Sequence, residues 1–279
     1  MDKNTEDIIR VASIDIGKKN FAQCIEESDL KVIEKLQEKY HNLPKKLQRR
    51  VKGPFTDEIK EIFDELSACS KVTHFGVFDL RHDKESNNLD METRRNIMKH
   101  LESYNNLWAE CDLIIIEQQF FNAFGRRPKT NGKAAEKAGG VNVDAIKISE
   151  LVLVWFSIFH PTIEIITYGS RFKTDILGSP SGLNKPKRKA WTIEKFKEMS
   201  TLREDEDMIM LYDLVDQVKR KQIKTEERFR SFFDPFDGKS EDVKRLATQI
   251  IKEKQKMDDV SDTVTQSQAY KFHKFIAQF

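Results

Sequence analysis

The sequence predicts an α/β fold, a mixed sheet with helices on its faces, and three observations predict it. Two strand-like segments open the chain and are joined by a short turn, which makes an antiparallel start. Three more strand segments follow, the later ones separated by helical patterns, which is how parallel βαβ units are written. From Lys189 onward the pattern is helical.

Residues 8–16 carry apolar side chains on both faces, as a central strand covered on both sides does. Gly17, Lys18, Lys19 and Asn20 supply turn chemistry, and Phe21 to Ile25 returns as the second strand. Residues 35–67 are strongly charged and helical in pattern, with Pro44 and Pro54 as breaks, and read as an insertion. A third strand is expected over Lys71 to Leu80. Between Thr93 and Trp108, Ile97, Met98, Leu101, Tyr104 and Leu107 recur at helical spacing. Leu113 to Glu117 is a short apolar run ending in a charge, the pattern of a buried parallel strand. Residues 121–141 are rich in Gly, Lys, Arg and Asn and predict a basic loop. Asp144 to Phe159 is a helix stopped by Pro161, and Ile163 to Tyr168 is a strand. Helices are expected near Ala190 to Met199 and Asp207 to Arg230, then a last stretch from Asp242 onward, with Ser231 to Lys239 as linker.

At 279 residues the chain is long enough for one substantial core. We read residues 1–279 as one domain with insertions near 30–70 and 200–250. Net charge is only +2, so composition alone announces no nucleic-acid binder, but basic residues cluster locally, as at Arg126, Arg127 and Lys129. Three scattered cysteines argue against a disulfide framework and a zinc ribbon, and suit a reducing intracellular compartment. The polar N-terminus is not a signal peptide, and the longest apolar stretch, Leu151 to Phe159, is too short for a bilayer span.

Carboxylates carry the functional signal. Asp15 shares a strand face with Val11 and Ser13; it either caps the turn at Gly17 or meets a cation, because a buried unpaired carboxylate is costly. Glu117 ends the second apolar run, and functional groups gather at the carboxyl ends of parallel strands. In Lys256-Met257-Asp258-Asp259-Val260-Ser261-Asp262, Asp259 and Asp262 share a helix face at i, i+3, and Asp258 and Asp262 nearly do. Three acids in five positions exceed what the helix dipole asks for. Hard divalent ions, Mg²⁺ first, relieve such repulsion, and two of them support phosphodiester hydrolysis.

The segments IDIGKKNFA (14–22), IIIEQQ (114–119) and KMDDVSDT (256–263) together resemble the RuvC-type Holliday-junction resolvases, nearest to the branch of poxviruses, other large DNA viruses and fungal mitochondria. The resemblance implies an RNase H-like fold with a mixed five-stranded sheet, a homodimer, and Mg²⁺-dependent cutting of branched DNA, with Mn²⁺ as substitute. Asp15, Glu117, Asp259 and Asp262 match the catalytic set, with Asp258 as an adjacent metal-binding acid. Gln118 and Gln119 fall beside the site. Lys18, Lys19, Arg126, Arg127, Lys129, Lys187 and Lys189 are the candidate DNA contacts, against the alternative of exposed solubilising charge. Phe120, Phe121 and Phe124 either stack on bases or pack in the core.

Three other readings compete. A ribonuclease H-like or transposase-like nuclease would use the same carboxylates. A sugar-kinase-like phosphotransferase needs a second phosphate hairpin that Gly139-Gly140 does not supply. A non-catalytic DNA scaffold has no need of the full acidic set.

Overall fold

The computed structural model describes residues 7–48, 53–85, 88–118, 143–169, 171–219, 236, 238–253 and 257–278. In chain order these form β1 (Ile8–Asp15), β2 (Phe21–Asp29), α1 (Leu30–His41), α2 (Lys45–Gln48), α3 (Asp57–Ala68), β3 (Ser70–Phe78), α4 (Met91–Ser103), α5 (Asn105–Ala109) and β4 (Leu113–Gln118). There follow α6 (Val143–Phe159), β5 (Glu164–Gly169), α7 (Phe172–Ile176), α8 (Lys185–Leu202), α9 (Glu206–Lys219), α10 (Glu241–Glu253) and α11 (Asp258–Lys271), which runs into a π-helical turn, Phe272–Ala277.

The strands make one mixed sheet in the order β3-β2-β1-β4-β5. The turn after β1 is too short for anything but an antiparallel partner, and it closes tightly: a Cβ on Gly17 would stand 2.8 Å from the carbonyl oxygen of Asn20. β2 and β3 continue antiparallel, whereas β4 and β5 pair parallel, after crossovers through α4, α5 and α6. This is the mixed five-stranded sheet with flanking helices that the sequence led us to expect.

Alternation along the two central strands divides the core. Val11, Leu113 and Ile115 join one apolar cluster with α1, α3, α8, α9, α10 and α11. Ala12, Ile14, Ile114 and Ile116 join another with α4 and α6. Covered on both faces, β1 and β4 therefore read as continuous apolar runs. Helices α1 and α3, from the expected insertion, bury Leu36, Ile62, Phe63 and Leu66 in the first cluster.

The free edge of β3 is closed by side chains of α10. Asp242 accepts from the Phe75 amide (3.4 Å), while Arg245 and Gln249 donate to the carbonyls of Phe75 and Val77 (3.1 and 2.9 Å). An edge so occupied offers no ladder to another chain. Beneath α11 lies a buried ion network: Glu26 of β2 meets Arg203 at 2.6 Å and Lys271 at 3.3 Å, and Lys271 also donates to Ser28 and Ser70.

Several boundaries differ from the sequence reading. Strand β2 runs on to Asp29, and the helix expected over residues 93–108 breaks at Tyr104 into α4 and α5. Helix α8 begins earlier than expected because Asn184 caps it, accepting from the Lys187 amide, and Pro186 fits its first turn. The stretch from Asp242 onward is two helices, α10 and α11, the second opening at the acidic run as expected. Helix α7 was not expected at all. The 121–141 loop, residues 220–230 and most of the 231–239 linker lie outside the described residues. No helix among the described residues is long and apolar enough to cross a membrane.

Candidate active site

Because β1 and β4 are parallel neighbours with Ile14 opposite Ile116, Asp15 and Glu117 stand side by side, one residue farther along each strand. By alternation both share the face of Val11, Ser13 and Ile115, the face that α11 covers. Glu117 is buried and Asp15 half-buried. Helix α11 begins at this same edge, and its first turns bury Asp259 and Asp262 at i, i+3. Ser261, between them, donates to the Met257 carbonyl (2.6 Å) and accepts from the Tyr212 hydroxyl of α9 (2.6 Å), which pins the opening of the helix.

A lysine closes the group. Lys173 of α7 is buried, its Nζ 3.1 Å from Glu117 Oε2 and 3.0 Å from Asp262 Oδ1. Burial alone would lower its pKa, but Asp262, Glu117 and Asp15 raise it above the ordinary lysine value. Burial pushes the Asp15 carboxyl well above its usual range, and the charges of Glu117, Asp262 and Asp259 outweigh the opposing pull of Lys173. The four carboxylates are thus one electrostatic unit.

Asp258 faces elsewhere. Its Oδ2 is 2.7 Å from Lys189 Nζ. Burial would lower the Lys189 pKa, but that hydrogen bond and the charges of Asp258, Asp259 and Asp262 raise it. Lys18 is tied to Asp144 at the start of α6 (2.5 Å). Lys19, Gln118 and Lys187 are exposed. Gln119, Phe120, Phe121, Phe124, Arg126, Arg127 and Lys129 lie outside the described residues. Sequence reasoning missed Lys173. Its one signal was a basic residue just past β5, the strand beside β4, and the question of what neutralises Glu117 would have led to it.

The donor chemistry fits a divalent ion. Asp15, Glu117, Asp258, Asp259 and Asp262 are hard oxygen ligands; Lys173 contacts Glu117 and Asp262, and Lys189 contacts Asp258. As the side chains stand, no three acidic, histidine or cysteine groups among the described residues close on one point as a ligand set. Lys173 lies between Glu117 and Asp262.

No family model matches the sequence. The uncharacterized protein 97L of Invertebrate iridescent virus 3 is 22% identical over 187 residues, 66% of this chain and 82% of that protein. The Thermus thermophilus RuvC structure aligns with 66% of this chain and 78% of its own, at a TM-score of 0.35 and 13% identity. T. thermophilus RuvC in complex with Holliday junction substrate aligns with 95% of each chain, at a TM-score of 0.40 and 11% identity. Neither structural likeness is close enough to bear on activity.

Proposed function

We propose that this chain is a metal-dependent endonuclease of RuvC type that resolves four-way DNA junctions as a homodimer. The observation that carries the reading is the meeting of Asp15, Glu117, Asp259 and Asp262 at one sheet edge from three separated segments. The three motif resemblances in the sequence support the substrate.

Asp15, Glu117, Asp259 and Asp262 would hold two Mg²⁺ ions, with Asp258 adjacent and Mn²⁺ as substitute. Bound there, such ions would supply activation of a water and stabilisation of the leaving oxygen in phosphodiester hydrolysis. The chain's own part is to fix the carboxylates. Strand pairing fixes Asp15 against Glu117, Tyr212 and Ser261 fix the opening of α11, and Lys173 holds Glu117 and Asp262 while lowering the repulsion an entering phosphate would meet. Lys19, Gln118 and Lys187 are exposed for backbone contacts, with Gln119, Arg126, Arg127 and Lys129 as further candidates. Lys18 and Lys189 reach DNA only by giving up Asp144 and Asp258.

The test is cleavage of a synthetic four-way junction. With Mg²⁺ the protein should nick opposite strands symmetrically, and Glu117→Gln or Asp15→Asn should abolish cutting while leaving junction binding. Equal cutting of linear duplex or an RNA–DNA hybrid would move the assignment to another RNase H-like nuclease. Absence of all cleavage with either metal would remove nuclease activity altogether.

A further inference from the structure

Beside the carboxylates lies a second polar feature that the motif resemblances do not touch. A cleft of about 460 Å³ opens where Arg171 and α7 meet the 177–184 loop and the start of α8. That volume falls among those of ligand sites, about 300–1,000 Å³. Its walls include two guanidinium-bearing residues, Arg171 and Arg188, against one carboxylate, Asp175. Neither arginine side chain has an acidic or hydrogen-bonding partner among the described residues.

A hydroxyl points to the ligand's chemistry. Ser179 lines the cleft, is only 8% exposed, and its Oγ finds no hydrogen-bonding group among the described residues. The Thr174 hydroxyl, by contrast, is already given to the Arg171 carbonyl at 2.9 Å. Gly182 holds φ at +78°, a conformation that favours glycine, and so shapes the loop on the cleft's rim. The cleft also reaches Leu183, at the positive end of the 18-residue α8. Unpaired guanidiniums, an uncommitted hydroxyl and a helix N-terminus together suit a phosphate.

We infer that this cleft is a subsite for a backbone phosphate of the nucleic-acid strand that enters the carboxylate site. Helix α7 makes the link: Lys173 reaches Glu117 and Asp262, while its neighbours Arg171, Thr174 and Asp175 line the cleft. A strand lying at one therefore passes the other. Arginine grips phosphate through two parallel N–H donors, and Ser179 adds a third. Asp175 opposes the anion and supplies a test of sign. The inference rests on the nuclease reading for the identity of its strand.

Binding without cleavage separates the two. Fluorescence anisotropy of a labelled four-way junction in EDTA should show the Arg171→Gln/Arg188→Gln double variant binding about tenfold or more weakly, as removal of a charged hydrogen bond implies. The slope of log affinity against log salt should flatten by about 0.9 for each phosphate that the variant no longer neutralises. Ser179→Ala should weaken binding and Asp175→Asn should tighten it. A neutral methylphosphonate, moved along the strand, should cost affinity at one position in the wild type and nothing there in the double variant. Unchanged affinity and slope in a double variant with wild-type circular dichroism would overturn the subsite. So would a wild type that binds no DNA, or arginines that govern binding of inorganic phosphate alone. If the subsite behaves as expected and the wild type never cuts, the nuclease reading fails and the subsite stands.

Discussion

Lys173 is a buried ammonium between two buried carboxylates, so its removal leaves charges with no partner. Loss of one member of such a set costs about 3–5 kcal/mol, because the remaining ions stay desolvated. Lys173→Met should therefore lower the thermal midpoint in EDTA, and Mg²⁺ should raise that midpoint more in the variant than in the wild type. Identical melting of both proteins with and without Mg²⁺ would show that the lysine is not what balances Glu117 and Asp262. Glu26 makes the matching case on the interior side of α11. Burial alone would raise its pKa, yet Lys271 and Arg203, with Ser267 and Gln268, hold it at about 2. A folded value below the unfolded one, near 4.3, gives stability that is complete above the unfolded pKa. It is lost as pH falls through the folded value. Acid should thus weaken the fold between about pH 5 and 2, and Glu26→Gln should flatten that decline in denaturant titrations. An equal acid slope in the variant would place the sensitivity elsewhere.

Elements differ in how plainly the sequence announces them, and the reasons are physical. Strands β1 and β4 are legible because both faces are covered, which leaves unbroken apolar runs ending in Asp15 and Glu117. The first turns of α11 are legible because three acids at helical spacing need a common explanation. Helix α7 is not, since five residues are too few for a period, and with it Lys173 escapes notice. Asn184 and Pro186 mark the start of α8, but they sit in a basic run that draws attention to charge instead of capping. The partner of Lys189 is 69 residues away, so no local pattern reveals that pair. Helix α9, from the second insertion expected in the sequence, brings its Tyr212 hydroxyl to Ser261, between Asp259 and Asp262. Tyr212→Phe removes that bond at a cost of about 0.5–1.5 kcal/mol. If the bond positions α11, the variant should also need more Mg²⁺ for half-maximal cleavage of the junction, at little change in saturating rate. A stability loss with an unaltered Mg²⁺ requirement would make Tyr212 a packing residue only.

At the scale of the whole molecule, the two faces of the sheet divide the work. Helix α11 and the carboxylates occupy one face, and α6 lies on the other, burying Ala145, Ile148, Val152, Trp155 and Phe156 against Ile14 and Ile116. The far side of α6 is apolar as well, with Val154, Ile158 and Phe159 exposed by 54%, 64% and 58%. Val152, Trp155 and Phe156 belong to the core, and Phe159 is left outside. Contiguous exposed side chains of this kind on one helix mark an interaction surface, and the proposed homodimer needs one. A four-way junction presents two strands to be cut, so paired nicks call for two sites related by a twofold axis, with the same patch used by both copies. Ile158→Glu with Phe159→Glu places four like charges across such a patch while leaving the opposite sheet face untouched. The variant should sediment as a monomer where the wild type is a dimer, and should nick junctions singly, with each cut uncoupled from the other. Its Mg²⁺ requirement for a single nick should match the wild type, because the carboxylates lie on the far side of the sheet. A dimer that survives both glutamates would shift the interface to another surface, and a wild type that stays monomeric on the junction would end the homodimer proposal.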